Sequence, residues 1–153
     1  MKFTIAIPFH WMDNWQFFHT RCLSSIERQT FKDYEIVLVK HSTMPITSNR
    51  AIESGKGDLI KILYMDDYLA HENSLQEIAD AFTGEGNARS AWLASGCTHN
   101  YGGIPRDFHA PRYTEDIHTG NNCIGSPSVL TMRRESVLLF DENLSFLLDC
   151  DLY

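Results

Sequence analysis

The sequence predicts an α/β domain over residues 1–153: a single Rossmann-like, doubly wound, mostly parallel sheet flanked by helices. Short, nearly continuous apolar runs rich in β-formers recur along the chain, as expected of strands buried on both faces of a parallel sheet. Between them, apolar residues fall at spacings of three and four, the period of a helix lying on that sheet. The third run leads directly into Asp66-Asp67, and in open α/β sheets ligands gather beyond the carboxyl ends of the strands.

The first strand is predicted over Phe3–Phe9, stopped by Pro8, and the second over Tyr34–Val39 (YEIVLV), both as central strands. Trp15, Phe18, Cys22 and Ile26 form the apolar stripe of the helix between them, with Asn14 as its cap and Thr30–Asp33 as its end. Thr47 or Ser48 caps a short second helix through Ala51 and Ile52, Gly55 and Gly57 end it, and Leu59–Met65 (LIKILYM) is the third strand. Asn73–Phe82 is a third helix with apolar Leu75, Ile78, Ala79 and Phe82. Gly84–Asn87 is its exit loop and Ser90–Ser95 a further strand.

From Gly96 to Thr119 periodicity disappears while Gly, Pro, His and Arg accumulate, which predicts a long irregular excursion over one sheet face. Ser128–Met132 then reads as a late strand, Glu135–Leu139 as a short helix and Leu144–Tyr153 as the start of another.

Composition narrows the function classes. The chain is 43% apolar and 22% charged, as in folded soluble domains, and long enough to bury roughly 70% of its unfolded surface. A net charge of −7 without a Lys/Arg run argues against nucleic-acid binding. Cys22, Cys97, Cys123 and Cys150 show no CxxC pairing and are read as free, buried thiols. The opening MKFTIAIPFHWMDN has too few apolar residues for a signal-peptide core or a transmembrane segment, so a cytoplasmic location is the simplest expectation.

Asp66 stands where a carboxylate-held Mg²⁺ or Mn²⁺ could neutralise a departing diphosphate; the alternative is that Asp66-Asp67 caps the helix near Asn73 or forms a solvated turn. His10, His41, His99, His109 and His118 lack the close helical spacing of zinc motifs. Of the tryptophans, Trp15 belongs to the core stripe, whereas Trp11, beside the end of the first strand, is the better candidate to stack on a base or sugar, ahead of Trp92. Asp149 and Asp151 read by themselves as surface acids or partners of Arg133 or Arg134.

Ordered landmarks along the chain resemble family 2 glycosyltransferases, which have the GT-A type nucleotide-diphospho-sugar transferase fold. TIAIPFH (Thr4–His10) and CLSSIERQTFKDYEIVLV (Cys22–Val39) resemble the family's opening, with Leu23, Ser25, Gln29, Glu35 and Ile36 in its pattern. NRAIESGKGDLIKILYMDD (Asn49–Asp67) resembles the approach to the Asp-x-Asp-Asp motif. GNNCIGSPSVLTMRRE (Gly120–Glu135) is similar to the strand near donor sugar and acceptor, and FDENLSFLLDCDLY (Phe140–Tyr153) to the Phe-Asp-Glu and acid-Asp-x-Asp-Leu segment.

The chain departs from the family's pattern at Lys40-His41-Ser42, where an Asp-Asp-Gly is common, at Tyr64 in place of the first Asp of the motif, and at Leu148 before Asp149.

The resemblance implies a metal-dependent, inverting glycosyltransferase that moves a sugar from a nucleoside-diphosphate sugar to an acceptor hydroxyl. It places Pro8, Phe9, His10, His41, Asn49, Arg50, Asp66 and Asp67 around the nucleotide-sugar, Asp66 on the Mn²⁺ or Mg²⁺, and Asp149 as the base with Asp151 beside it. The acceptor would be a saccharide, a lipid-linked compound or a protein, and a homo-oligomer is compatible with the reading. Relatives continue beyond the Asp-x-Asp-Leu helix, so the domain is expected to be incomplete at its C-terminus, and a non-catalytic nucleotide-sugar-binding fragment is the alternative. A sugar nucleotidyltransferase fits less well, because PFHWMDNW lacks the Gly-rich phosphate loop such enzymes carry after the first strand.

Overall fold

The structure is a computed structural model of the chain that describes residues 1–10 and 15–153. A five-stranded sheet runs β2(Tyr34–Lys40), β1(Phe3–Phe9), β3(Leu59–Ile62), β7(Leu130–Arg133), β4(Trp92–Ala94). β1 pairs in parallel with β2 and β3, whereas β7 is antiparallel to both β3 and β4. The helices are α1(Ser24–Glu27), entered through a π-helical turn Phe18–Leu23, α2(Met44–Ser54), α3(Ser74–Thr83) and α4(Leu148–Leu152). A separate hairpin, β5(Cys97–Tyr101) with β6(Ile104–His109), stands outside the sheet.

Alternation along the strands sends side chains to opposite faces and creates separate cores. Phe3, Ile5, Ile7 and Leu59 pack with Phe18, Cys22 and Ile26 and with Leu75, Ala79 and Phe82 of α3. Ala6, Ile60 and Ile62 pack on the other face with Ala51 and Ile52 of α2, then Leu130, Met132 and Phe140. The mostly parallel α/β sheet with helices on both faces is therefore as expected.

Several boundaries differ from expectation. β2 lies at one end of the sheet order, with Ile36 and Leu38 40% and 49% exposed, because Phe18, Cys22 and Ile26 cover β1 and leave that face of β2 open. A short apolar run reads the same at an edge as at the centre. Pro8 does not stop β1: it lies opposite Val39 and beyond the last β1–β3 pair, Ala6 with Ile62, where its missing N–H breaks no ladder bond to β3. Trp15 is 44% exposed rather than in the core, with its ring edge-on to His19. Asn14, the expected cap, lies outside the described residues.

α2 begins one turn earlier than predicted, with Pro45 in its first turn and the Thr43 carbonyl accepting from Thr47 N at 2.9 Å and Thr47 Oγ1 at 2.6 Å. Thr47 thus bonds back into the helix instead of capping it, and neither it nor Ser48 starts the helix. Gly96–Thr119 is not irregular but holds the β5–β6 hairpin and a 3₁₀ turn, Glu115–Thr119. Gly102 and Gly103, at φ +62° and +93°, make the two-residue turn that closes the hairpin. The short helix predicted over Glu135–Leu139 is a 3₁₀ turn, Arg134–Ser136. All cysteines are free; Cys22 and Cys150 are buried, whereas Cys97 and Cys123 are only half-buried.

Candidate functional site

The carboxyl ends of β1 and β2 open into a cleft of about 300 Å³ lined by Pro8, Phe9, His10, His41, Thr43 and Thr47. The sheet thus gathers Pro8, Phe9, His10 and His41 from stretches thirty residues apart. His10 N reaches Met65 Sδ at 3.5 Å, and His41 Nδ1 lies 2.9 Å from Ser42 Oγ. Trp11, the predicted stacking residue, lies outside the described residues. Arg50 is exposed on α2, but Asn49 is 4% exposed and its amide is committed elsewhere. It donates to Phe140 O at 2.9 Å and Glu142 Oε1 at 3.1 Å and accepts from Phe140 N at 2.8 Å. Asn49 anchors the Phe140–Glu142 segment on α2.

Beyond β3 the chain turns at Tyr64–Asp67, where Asp67 N donates to Tyr64 O at 3.0 Å. Asp66 is exposed and Asp67 half-buried. This turn does not cap α3, which begins only at Ser74 after Asn73. Burial, reinforced by the Asp66 charge, raises the Asp67 carboxyl above the usual range; the Ser128 and Ser126 hydroxyls and the Lys61 ammonium oppose the rise. Ser126 Oγ donates to Asp67 Oδ2 at 3.4 Å.

Lys61, in the middle of β3, is 2% exposed, and its ammonium donates to the Ser128 carbonyl. Burial pushes it down to about 8, against the pull of the Asp67 charge. A Lys with such burial is rare unless compensated. A single Lys inside LIKILYM, just ahead of paired acids, is the signal the sequence carries for it.

Asp149 sits in the first turn of α4. Its Oδ1 accepts from Cys150 N at 3.0 Å and its Oδ2 from Asn122 Nδ2, while Asp151 is exposed. Neither Arg133 nor Arg134 partners these acids. The Arg133 guanidinium donates to the Ser90, Phe82 and Ala88 carbonyls at 2.9–3.0 Å, and Arg134 Nε donates to Gly57 O at 2.7 Å. Tyr64, just ahead of the paired acids, feels the charges of Asp149, Asp67 and Asp66. Its phenol is pushed up to about 12, chiefly by burial, then by those charges.

The segment 122–128 connects these groups: Asn122 bonds Asp149, Ser126 bonds Asp67, and Ser128 Oγ accepts from Tyr64 N at 2.8 Å. Asn122, Ser126 and Ser128 escape a sequence reading because small polar residues carry no periodic signal of their own.

The second cavity, about 1130 Å³, lies between the Asp66–Asp67 turn, α3, β4 and the hairpin. Its walls carry Asp66, Asp67, Lys61, Ser126, His99 and Phe108, the last 72% exposed. Among the described residues no group of three or more His, Cys, Asp or Glu side chains could hold a metal ion. Asp66 and Asp67 offer carboxylates on which a hard cation could be completed by phosphate oxygens of a bound ligand, the usual manner of Mg²⁺. Among the described residues no helix is long and apolar enough to cross a membrane.

No protein-family profile and no curated protein matches the chain. Solved structures of S. aureus TarS share its fold. TarS 1–349 aligns with a TM-score of 0.70 at 18% identity, over 99% of this chain and 54% of that one. TarS 1–349 in complex with UDP gives 0.67 at 17% identity, over 96% and 52%, and the longer TarS chain 0.61 at 16% identity, over 94% and 31%. The chain thus spans about half the length of TarS 1–349. At these identities the likeness establishes the fold: a mostly parallel sheet flanked by helices, as in TarS.

Proposed function

We propose that the chain is the nucleotide-sugar-binding domain of a family 2, GT-A type glycosyltransferase that transfers a sugar with inversion from a nucleoside-diphosphate donor to an acceptor hydroxyl. The observation that carries this reading is that one segment, 122–128, joins the acids: Asn122 bonds Asp149 and Ser126 bonds Asp67, beside the Asp66–Asp67 turn that lines the larger cavity. A transferase must hold two substrates on either side of one reacting centre. The TarS structures support the reading, since TarS is a glycosyltransferase and one of the aligned structures holds UDP.

In this proposal the cleft of Pro8, Phe9, His10 and His41 takes the nucleoside, with Arg50 near the diphosphate. Asp66 would hold a Mg²⁺ or Mn²⁺ together with the donor's phosphate oxygens; Asp67, tied to Ser126, fixes the turn that presents it. When bound, the ion supplies positive charge to the departing diphosphate. Asp149 accepts the proton of the acceptor hydroxyl as it attacks the anomeric carbon from the opposite face, a step that contributes roughly 10²–10⁴-fold in rate.

The test is nucleoside-diphosphate release from a panel of UDP-sugars. Asp149→Asn is expected to lower kcat by roughly 10²–10⁴-fold with little change in the donor KM. An unchanged kcat would remove Asp149 from the chemistry.

A further inference from the structure

We infer that Asn122 is a positioning residue for Asp149, an inference that rests on the function proposed above. Every hydrogen-bonding group of its amide is used. Oδ1 accepts from Ile124 N at 3.1 Å and Gly125 N at 2.9 Å, closing the turn that follows. Nδ2 donates to Gly125 O at 3.0 Å and to Asp149 Oδ2.

This bonding fixes the amide's orientation. Flipped, its oxygen would face the Gly125 carbonyl and the Asp149 carboxylate, and its NH₂ would face two N–H donors. The donor toward Asp149 is therefore a consequence of the turn. With Cys150 N on Oδ1 and Asn122 on Oδ2, the carboxylate is gripped on both oxygens and held in one orientation, each oxygen keeping lone-pair capacity for an incoming hydroxyl. Tyr153 Oη donates to Gly125 O at 2.9 Å, bracing the same turn from the end of α4. Because Ser126 and Ser128 of this segment hold the Asp67 side of the site, the 122–128 segment sets where the base stands relative to the donor.

The variant Asn122→Asp tests this. It keeps an oxygen to accept from Ile124 N and Gly125 N but replaces the donor facing Asp149 by a second carboxylate oxygen. In the UDP-release assay kcat is expected to fall by roughly ten- to a hundredfold, with donor KM within about twofold, as for a displaced catalytic group. The exchange Asn122→Asp with Asp149→Asn restores a hydrogen bond of reversed polarity: it should recover the melting temperature lost in Asn122→Asp without recovering turnover. Independently of activity, the Asn122 side-chain amide proton that faces Asp149 should be protected from exchange in the wild type and lose that protection in Asp149→Ala.

Unchanged kcat in folded Asn122→Asp, where Asp149→Asn is impaired, overturns the inference alone, as does an unprotected Asn122 amide proton on the Asp149 side. Unimpaired turnover in Asp149→Asn, or no turnover of any donor by the wild type, overturns the functional reading and the inference with it.

Discussion

Glu35 and Asp67 are carboxylates at opposite ends of the sheet, and their surroundings differ in kind. Glu35, near the start of β2, is saturated: it accepts from Lys56 N, from Thr4 Oγ1 at 2.8 Å and from Lys2 Nζ at 3.2 Å. The Lys56 N–H and then the Thr4 hydroxyl, outweighing burial, hold its carboxyl down at about 2. Asp67, beyond β3, is pushed the other way because burial and Asp66 outweigh its hydroxyl and ammonium neighbours. One end of the sheet spends its polar groups on holding the chain together; the other leaves the buried Asp67 carboxyl incompletely compensated.

If the end around Glu35 is structural, the largest stability loss belongs to Gly57→Ala. A Cβ there would lie 2.5 Å from Thr4 N, 2.6 Å from Phe3 C and 2.7 Å from Lys2 O, all backbone atoms of β1 or its approach. The Gly57 N–H also donates to Thr4 Oγ1 at 2.8 Å, tying the same contact. We expect a loss of about 3 kcal/mol in denaturant unfolding. A loss under about 0.5 kcal/mol would show that β1 and β3 are not locked together at this point.

The acids themselves sharpen the comparison through opposite pH slopes. A depressed folded value means that the unfolded chain takes up the proton first. The Glu35 contribution is therefore full above its ordinary 4.5 and is lost as pH falls from there through about 2. Glu35→Gln should cost about 1–2 kcal/mol at neutral pH and flatten the acid side of the stability profile.

For Asp67 the sign reverses. Its raised value makes the native state bind the proton more tightly, so ionisation costs stability as pH rises above the ordinary 3.8. Asp67→Asn should then raise stability near neutral pH, by about 0.5–1 kcal/mol, the smallest effect of the three. A loss of stability instead would mean that the attraction to buried Lys61 outweighs the burial of the acid.

The same contrast explains what could be read from the amino-acid order. The regular elements were legible because burial imposes a period: Leu75, Ala79 and Phe82 on α3, or Ile5 and Ile7 against Ala6 on β1, announce their faces. Edge position was not legible, since Ile36 and Leu38 are as apolar as central residues yet half exposed. The hairpin was obscured because polar His99, Asn100, Arg106 and Asp107 blur its alternation, although Gly102-Gly103 between them is a turn signal. In the site, Asp66 and Asp67 stood out by position at a strand end. Lys61, Asn122, Ser126 and Ser128 act through contacts across the fold that no local pattern encodes.

The central claim, a metal-assisted donor site at the Asp66–Asp67 turn, is tested most directly by the melting temperature with UDP, in Mn²⁺ and in chelator, for the wild type and Asp66→Ala. UDP at a hundred times its dissociation constant adds about 2.7 kcal/mol of stability. The account predicts an upward shift for the wild type with UDP and Mn²⁺ together, and loss of that metal dependence in Asp66→Ala. A UDP shift of equal size in chelator, or one that Asp66→Ala leaves metal-dependent, would contradict it.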